Sequence, residues 1–376
     1  MTATATKRRP RAASIEIPHA DLKEALAAVK AAVPTKSPKP ILANVLIADG
    51  VVSATDLELR IDYEIDAVTP AVLLPHGRLS AILGTAAGDA VDLTPGDTSC
   101  VVEIGSGRWT LPTEDAMEFP ADAGGDSTPI CRIPPDQFCR ALAGTVFATD
   151  SESSRYALGA VLLEVVPDEE NPEEMKAIFI GTDGRRLARV DVEIDQAVDP
   201  SQTLIPAKAA QAMMSLCKGR EDAVQLERRG NDLVCSCGGV TITTRTTEGK
   251  FPKWRDVFPS REVEATEVYA GALRAATKSA AIVTTETSKG VTYAVTEQGM
   301  HLTARSSESG ESSITCDLVT FGQKAVAMLD PRYVREWLDT IDPAATVRLE
   351  VVDGSSACVF KHEEASCVIM PLDPQA

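Results

Sequence analysis

The side chains in this sequence that could carry covalent, acid–base or metal chemistry are nine cysteines, four histidines and 55 carboxylates, and their spacing assembles none of the usual constellations. His19, His76, His301 and His362 stand at helix starts or in polar strands, without the i, i+4 pair that holds zinc on one helix face. No glycine-rich loop ends in Lys-Ser or Lys-Thr to cradle phosphates, and no G-x-S-x-G turn exposes a nucleophilic serine. Gly105, Ser106 and Gly107 read instead as a hairpin turn. The cysteines are odd in number and contain no C-x-x-C pair, which points to a reducing cytoplasm rather than a disulfide framework. Cys235 and Cys237 are two apart in a strand-like run and share one face, a core-packing pattern. The expectation is a protein that is not an enzyme and holds no metal or cofactor. An acid pair assembled only by folding is the one catalytic arrangement that spacing does not address.

What remains is charge, and its placement is uneven. The formal net charge is −18, too acidic for a surface that adheres to nucleic acid all round. Six segments carry a helical apolar period: 21–33, 76–86, 135–148, 206–220, 270–282 and 331–341. They hold eleven basic and five acidic residues, a net +6, which leaves −24 for the rest of the chain. The basic residues are Lys23, Lys30, Arg78, Arg140, Lys208, Lys218, Arg220, Arg274, Lys278, Arg332 and Arg335. In the first segment Leu22, Leu26 and Val29 share one side and Lys23 and Lys30 another. In the fourth, Lys208, Gln211, Ser215 and Lys218 recur at helical spacing opposite Met213, Leu216 and Cys217. In the sixth, Val334, Trp337, Leu338 and Ile341 form the apolar stripe and leave Arg332 and Arg335 outward. Any one basic face has two readings, a solvated helix surface or a phosphate contact. Six equivalent faces on an acidic chain favour phosphate contacts without base readout, weak and salt-sensitive.

The elements that would position these faces recur three times. Each unit opens with a strand running into a helix, at Ile17-Pro18-His19, Ile133-Pro134-Pro135 and Val268-Tyr269-Ala270. A second strand and helix follow, LLPHGRLSAIL from Leu73, LIPAKAAQAMMSLCKG from Leu204 and MLDPRYVREWLDTI from Met328. Alternating strands come next, AVDLTP from Ala90, AVQLER from Ala223 and TVRLEV from Thr346. Between the helices lie Val-, Ile- and Thr-rich strands, including ILANVLI from Ile41 and YALGAVLLEV from Tyr156. The reading is an α+β chain of three repeated domains, each with two helices packed on antiparallel sheets, at 15–125, 126–259 and 260–376. Pro167 to Glu174 is an acidic turn within the second unit. Residues 1–14, with Lys7, Arg8, Arg9 and Arg11, form a disordered basic tail, either without a role or in weak contact with nucleic acid. No run approaches the roughly 18 apolar residues that span a bilayer.

Several motifs on this repeat resemble the bacterial DNA polymerase III beta subunit family, the sliding clamps, over residues 15 to 372. They are PILANVLI from Pro40, ATDLELRI from Ala54, SSRYALGAVLLE from Ser153, GTDGRRLARV from Gly181, GKFPKWRDVFP from Gly249 and VIMPL from Val368. The resemblance implies a head-to-tail homodimeric ring around duplex DNA, bound without sequence preference. It also implies protein partners: a replicative polymerase, an ATP-dependent clamp loader and other proteins carrying a clamp-binding motif. Lys36, Arg155 and Tyr156 join the eleven helix cations as candidate DNA-facing residues.

Matched motif by motif, the family's client-peptide groove maps onto Leu158, Thr182, Gly184, Arg185, Arg186, Leu187, Pro252, Val257, Val368, Ile369, Met370, Pro371 and Leu372. Ordinary core is the competing reading for most of these. The apolar VIMPL run near the chain end is the stronger indication, because chain ends are usually polar and frayed. Asp256 and Asp373 stand where the family typically has basic residues, which puts client preference in question. For the ring contact the resemblance points to Trp109 and Leu111 against Ile282 and Val283, with a core role equally open. The alternative function is a clamp-fold paralogue, of plasmid or phage type, that binds partners without encircling DNA.

Overall fold

The structure, a computed structural model, describes residues 14–67, 69–150, 157–168, 171–194, 196–197, 199–286 and 288–373. The basic tail residues Lys7 to Arg11 and the pair Arg155 and Tyr156 lie outside them. Among the described residues six α-helices form: α1 (His19–Val29), α2 (His76–Thr85), α3 (Pro135–Val146), α4 (Ala207–Cys217), α5 (Ala270–Ala280) and α6 (Pro331–Leu338). Four follow a strand directly and α3 and α6 follow one after a single residue, and Pro18, Pro75, Pro134 and Pro206 occupy four of the six N-cap positions. Proline fixes φ near its helical value and has no N–H to leave unsatisfied, so a strand can turn into a helix there without a loop. At α6 the Asp330 carboxylate caps instead, accepting from the Arg332 backbone N–H at 2.9 Å. The fourth helix stops at Cys217 because Gly219 takes φ +76°, which leaves Lys218 and Arg220 just beyond it.

Among the described residues the strands pair antiparallel in four sheets, and the chain divides into two compact units. The first comprises Met1–Thr128 with Arg228–Arg245; the second comprises Pro129–Glu227 with Thr246–Ala376. In the first, strands Ile15–Pro18, Ala90–Pro95, Ser99–Ile104 and Gly107–Pro112 form one sheet in that order. Strands Val72–Pro75, Asn44–Ala48, Val51–Thr55, Leu59–Glu64, Val240–Arg245 and Asp232–Cys237 are consecutive neighbours in another. Leu22 and Val29 of α1 are fully buried and Leu26 nearly so, each contributing about 1.5–3 kcal/mol of apolar burial.

The second unit carries an eight-stranded sheet ordered Ser201–Pro206, Ala160–Pro167, Met175–Thr182, Arg186–Glu193, Ala365–Ile369, Cys358–His362, Thr346–Glu350 and Thr266–Tyr269. A four-stranded sheet runs Gly310–Cys316, Gly299–Ser306, Val291–Thr296 and Ala325–Leu329. Helix α3 lies so close to the larger sheet that a Cβ on Gly181 would stand 2.1 Å from the Thr145 carbonyl oxygen.

Two sequence expectations change. Ile41 to Ala43 and Ala157 to Gly159 are single 3-10 turns rather than strand, and the strands begin at Asn44 and Ala160. Pro40 at the first position of its turn fixes a helical φ, which overrides the β preference of Ile41. Cys235 and Cys237 are buried, as their spacing implies. Among the described residues no group of three His, Cys, Asp or Glu could hold a metal, and no helix is long and apolar enough to cross a membrane.

Candidate nucleic-acid and peptide interfaces

The helix cations sit where the period places them. Lys23, Lys30, Arg78, Arg140, Lys208, Lys218, Lys278 and Arg332 are exposed, and Arg220, Arg274 and Arg335 are half-buried. Lys36, in the loop after α1, is exposed as well. Opposite them, Met213 and Cys217 of α4 and Val334, Trp337 and Leu338 of α6 are buried. Some cations are already engaged: Arg140 with Glu363 at 3.3 Å, Arg274 with Asp339 at 3.2 Å, and Arg220 donating to the Leu216 carbonyl at 2.7 Å. Among the described residues Lys23, Lys30, Arg78, Lys278 and Arg335 form no salt bridge. Solvated cations of this kind can neutralise phosphates at little desolvation cost.

The residues matched to a peptide groove all belong to the second unit, and the fold brings most of them together through one strand pair. Strand Arg186–Glu193 pairs with Ala365–Ile369, Arg186 opposite Ile369 and Leu187 opposite Val368. The pairing extends past the strand end, where the Met370 N–H donates to the Arg185 carbonyl at 3.0 Å. The Leu372 N–H then donates to Met328 O at 2.7 Å, so the terminal segment is laid across two strand ends. Leu187 and Val368 belong to a cluster with Leu162, Ile178, Ile180, Trp254 and Val359, against which Phe251 and Phe258 pack. Ile369, one residue on, enters the separate core that holds Trp337 and Phe360. Leu158 and Thr182 are buried, Pro252, Pro371 and Leu372 half-buried, and Gly184, Arg185, Val257 and Met370 exposed. An exposed set on a buried, packed support is an arrangement that can anchor a short peptide.

Adjacent Arg185 and Arg186 have different tasks. Arg186 is 6% exposed, and its guanidinium donates to Asp183 Oδ2 at 3.0 Å, to the Phe147 carbonyl at 2.6 Å and to Glu336. It also stacks 4.4 Å from the Tyr333 ring centroid and 5.0 Å from that of Phe147. It is a strut joining the residue after α3, the turn before its own strand, and α6. Arg185 is exposed.

Sequence reasoning passed over Trp254, which stands in the quoted GKFPKWRDVFP motif. It is 4% exposed, with Arg255 at 4.2 Å and Arg189 at 5.1 Å from its ring centroid. Arg255 is in turn paired with the buried Glu164 at 2.8 Å. A tryptophan between cations, inside a segment without regular strand, was the available clue. At the residues matched to a ring contact, Ile282 is 79% exposed, Trp109 and Val283 are half-buried, and Leu111 is buried.

Comparison with known proteins bears on the family and the fold. Residues 132–253 match the family model for the central domain of the DNA polymerase III beta subunit. The beta sliding clamp of Escherichia coli K12 is 26% identical over 345 residues, covering 89% of this chain and 92% of that protein. The beta sliding clamp of Synechococcus elongatus is 25% identical over 358 residues, covering 90% and 93%. Among solved structures, the DNA polymerase sliding clamp from Bacillus subtilis superposes with a TM-score of 0.86 at 18% identity, covering 96% of this chain and 99% of that one. The sliding clamp from Pseudomonas aeruginosa bound to griselimycin gives 0.85 at 22%, with the same coverage.

Proposed function

From the premise that this chain belongs to the DNA polymerase III beta subunit family, we propose that it is a replicative processivity factor that encircles duplex DNA and tethers client proteins. The observation that carries this reading is the exposed basic side of six helices in a chain whose remainder is strongly acidic. Two chains, each of three domains at 15–125, 126–259 and 260–376, close head to tail into a ring, and a closed two-copy contact leaves no free end to polymerise. The ring contact pairs Trp109 and Leu111 of one chain with Ile282 and Val283 of the other. Strands Gly107–Pro112 and Gly310–Cys316, each at the end of its sheet, supply unpaired backbone for that contact.

Retention on DNA is topological. The helix cations, with Lys36, Arg155 and Tyr156, touch phosphates weakly and without register, so the ring slides. No bond is made or broken. An ATP-dependent loader opens the ring, and the polymerase and other partners dock a short apolar peptide beside Gly184, Arg185, Pro252, Val257 and the 370–372 segment. The protein works in the cytoplasm.

The test is substitution of Lys208, Lys218, Arg274 and Lys278 by Glu in the full chain. We expect loading on nicked circular DNA and polymerase processivity to collapse while the dimer persists. Unchanged processivity refutes encirclement and favours a scaffold that only binds partners. Removing residues 370–376, which spares the paired strand Ala365–Ile369, is expected to abolish peptide binding; retained affinity refutes the groove.

A further inference from the structure

The turn at the peptide surface has a structural copy in the first unit. Thr182 Oγ1 accepts from the Gly184 N–H at 3.1 Å, and Asp183 Oδ1 accepts from the N–H groups of Arg185 and Arg186 at 2.9 and 3.0 Å. Between strands Val51–Thr55 and Leu59–Glu64 the same bonds recur. Thr55 Oγ1 accepts from Leu57 at 3.0 Å, and Asp56 Oδ1 from Glu58 and Leu59 at 3.0 and 2.8 Å. The neighbouring strand closes both turns alike: Met370 N–H donates to Arg185 O at 3.0 Å, and Arg245 N–H to Glu58 O at 2.9 Å. The third residue has the same left-handed backbone in both, φ +84° at Gly184 and +82° at Leu57.

The difference is the side chain. A Cβ on Gly184 would meet nothing within 4 Å, so that position opens onto free space beside the groove. Leu57 puts a half-exposed isobutyl group at the matching point, in a backbone conformation that favours glycine, and lines a cavity of only about 140 Å³ with Pro120, Asp122 and Arg245. Its lining is cross-braced, Arg60 donating to the Pro120 carbonyl at 2.9 Å and Arg229 pairing with Asp122 at 2.6 Å.

We propose that the residue at this turn position determines which copy of the turn takes up a client peptide: glycine at 184 admits it, and leucine at 57 excludes it. The inference rests on the docking surface proposed above and names the residue that makes it selective. A chain with two near-identical turns thereby presents one peptide site.

The experiment measures binding of a fluorescein-labelled hexapeptide containing two leucines and a phenylalanine to the full-length protein, by anisotropy for affinity and calorimetry for stoichiometry. Wild type takes up one equivalent per chain. Gly184→Leu, whose backbone strain Leu57 already shows to be tolerated, loses at least tenfold in affinity with an unchanged circular dichroism spectrum. Leu57→Gly, which only relieves strain, takes up a second equivalent. Wild-type affinity in Gly184→Leu, or a single equivalent in Leu57→Gly, overturns the proposal; if Gly184→Leu unfolds, Leu57→Gly decides alone. A wild-type chain that takes up no peptide overturns the docking surface itself and this inference with it.

Discussion

Replacing Arg186 by Ala removes the strut of the proposed peptide surface, and the structure sets the size of the effect. Three hydrogen bonds and two ring contacts are lost at once, and two acidic partners are left behind. The Asp183 side chain is 16% exposed and that of Glu336 37%, so the first stays largely desolvated without its counter-charge and the second recovers water. Breaking a buried pair from one side costs about 3–5 kcal/mol, and partial rehydration of Glu336 moves the expectation toward the lower end, about 3–4 kcal/mol. For a unit of this size about 1 kcal/mol corresponds to roughly 2–4 °C, so melting should fall by about 10 °C. Arg186→Lys keeps the charge but not the planar fork that serves three acceptors, and should recover less than half of the loss. The assay is differential scanning calorimetry with urea unfolding, combined with Glu336→Gln in a double-mutant cycle. A loss below about 1 kcal/mol, within the range of an ordinary surface pair, would refute the strut.

Other consequences follow from local geometry. His76 Nε2 lies 3.0 Å from the Leu26 carbonyl near the end of α1, and His19 Nε2 lies 3.1 Å from the Leu83 carbonyl near the end of α2, so each helix start caps the other helix's end. His76→Ala should cost about 1–3 kcal/mol in urea unfolding, with His19→Ala, less buried, costing less. Gly181→Ala sets a methyl group against the Thr145 carbonyl and should cost about 2–3 kcal/mol, with amide exchange accelerating in α3 first. Burial pushes the thiols of Cys131, Cys358 and Cys367 up to about 12, with nearby Arg186 only partly opposing this at Cys367. Their folded values are raised, so the stability they contribute is present below the unfolded thiol value, about 8.5, and is lost as pH rises from there toward 12. Iodoacetamide at pH 8 should therefore modify half-buried Cys139 first, and early labelling of Cys367 would contradict the burial.

The helices were legible because their evidence is local. Apolar spacing together with proline at the strand-to-helix junction gave six segments within a few residues of α1 to α6, and the same spacing assigned Lys208 and Met213 to opposite faces. Strand starts were less legible at Ile41 and Ala157, where a β-prone composition yields to a 3-10 turn. The proposed groove was visible only as scattered motifs. Nothing in the string TDGRRL distinguishes exposed Arg185 from buried Arg186, because that division depends on Phe147 and Glu336, some 40 and 150 positions away. Trp254 was passed over for the same reason: Arg255 is its sequence neighbour, but Arg189 and its apolar cluster come from strands distant in sequence.

The sequence by itself determined the repeat, the helices, their charged faces and the lack of a catalytic motif, since each depends on residue type and short-range periodicity. Tertiary structure decided which of two neighbouring arginines is a strut, and that Leu57 and Gly184 hold the same place in two copies of one turn. Those outcomes depend on strand register and on what packs against the turn, which no local pattern encodes.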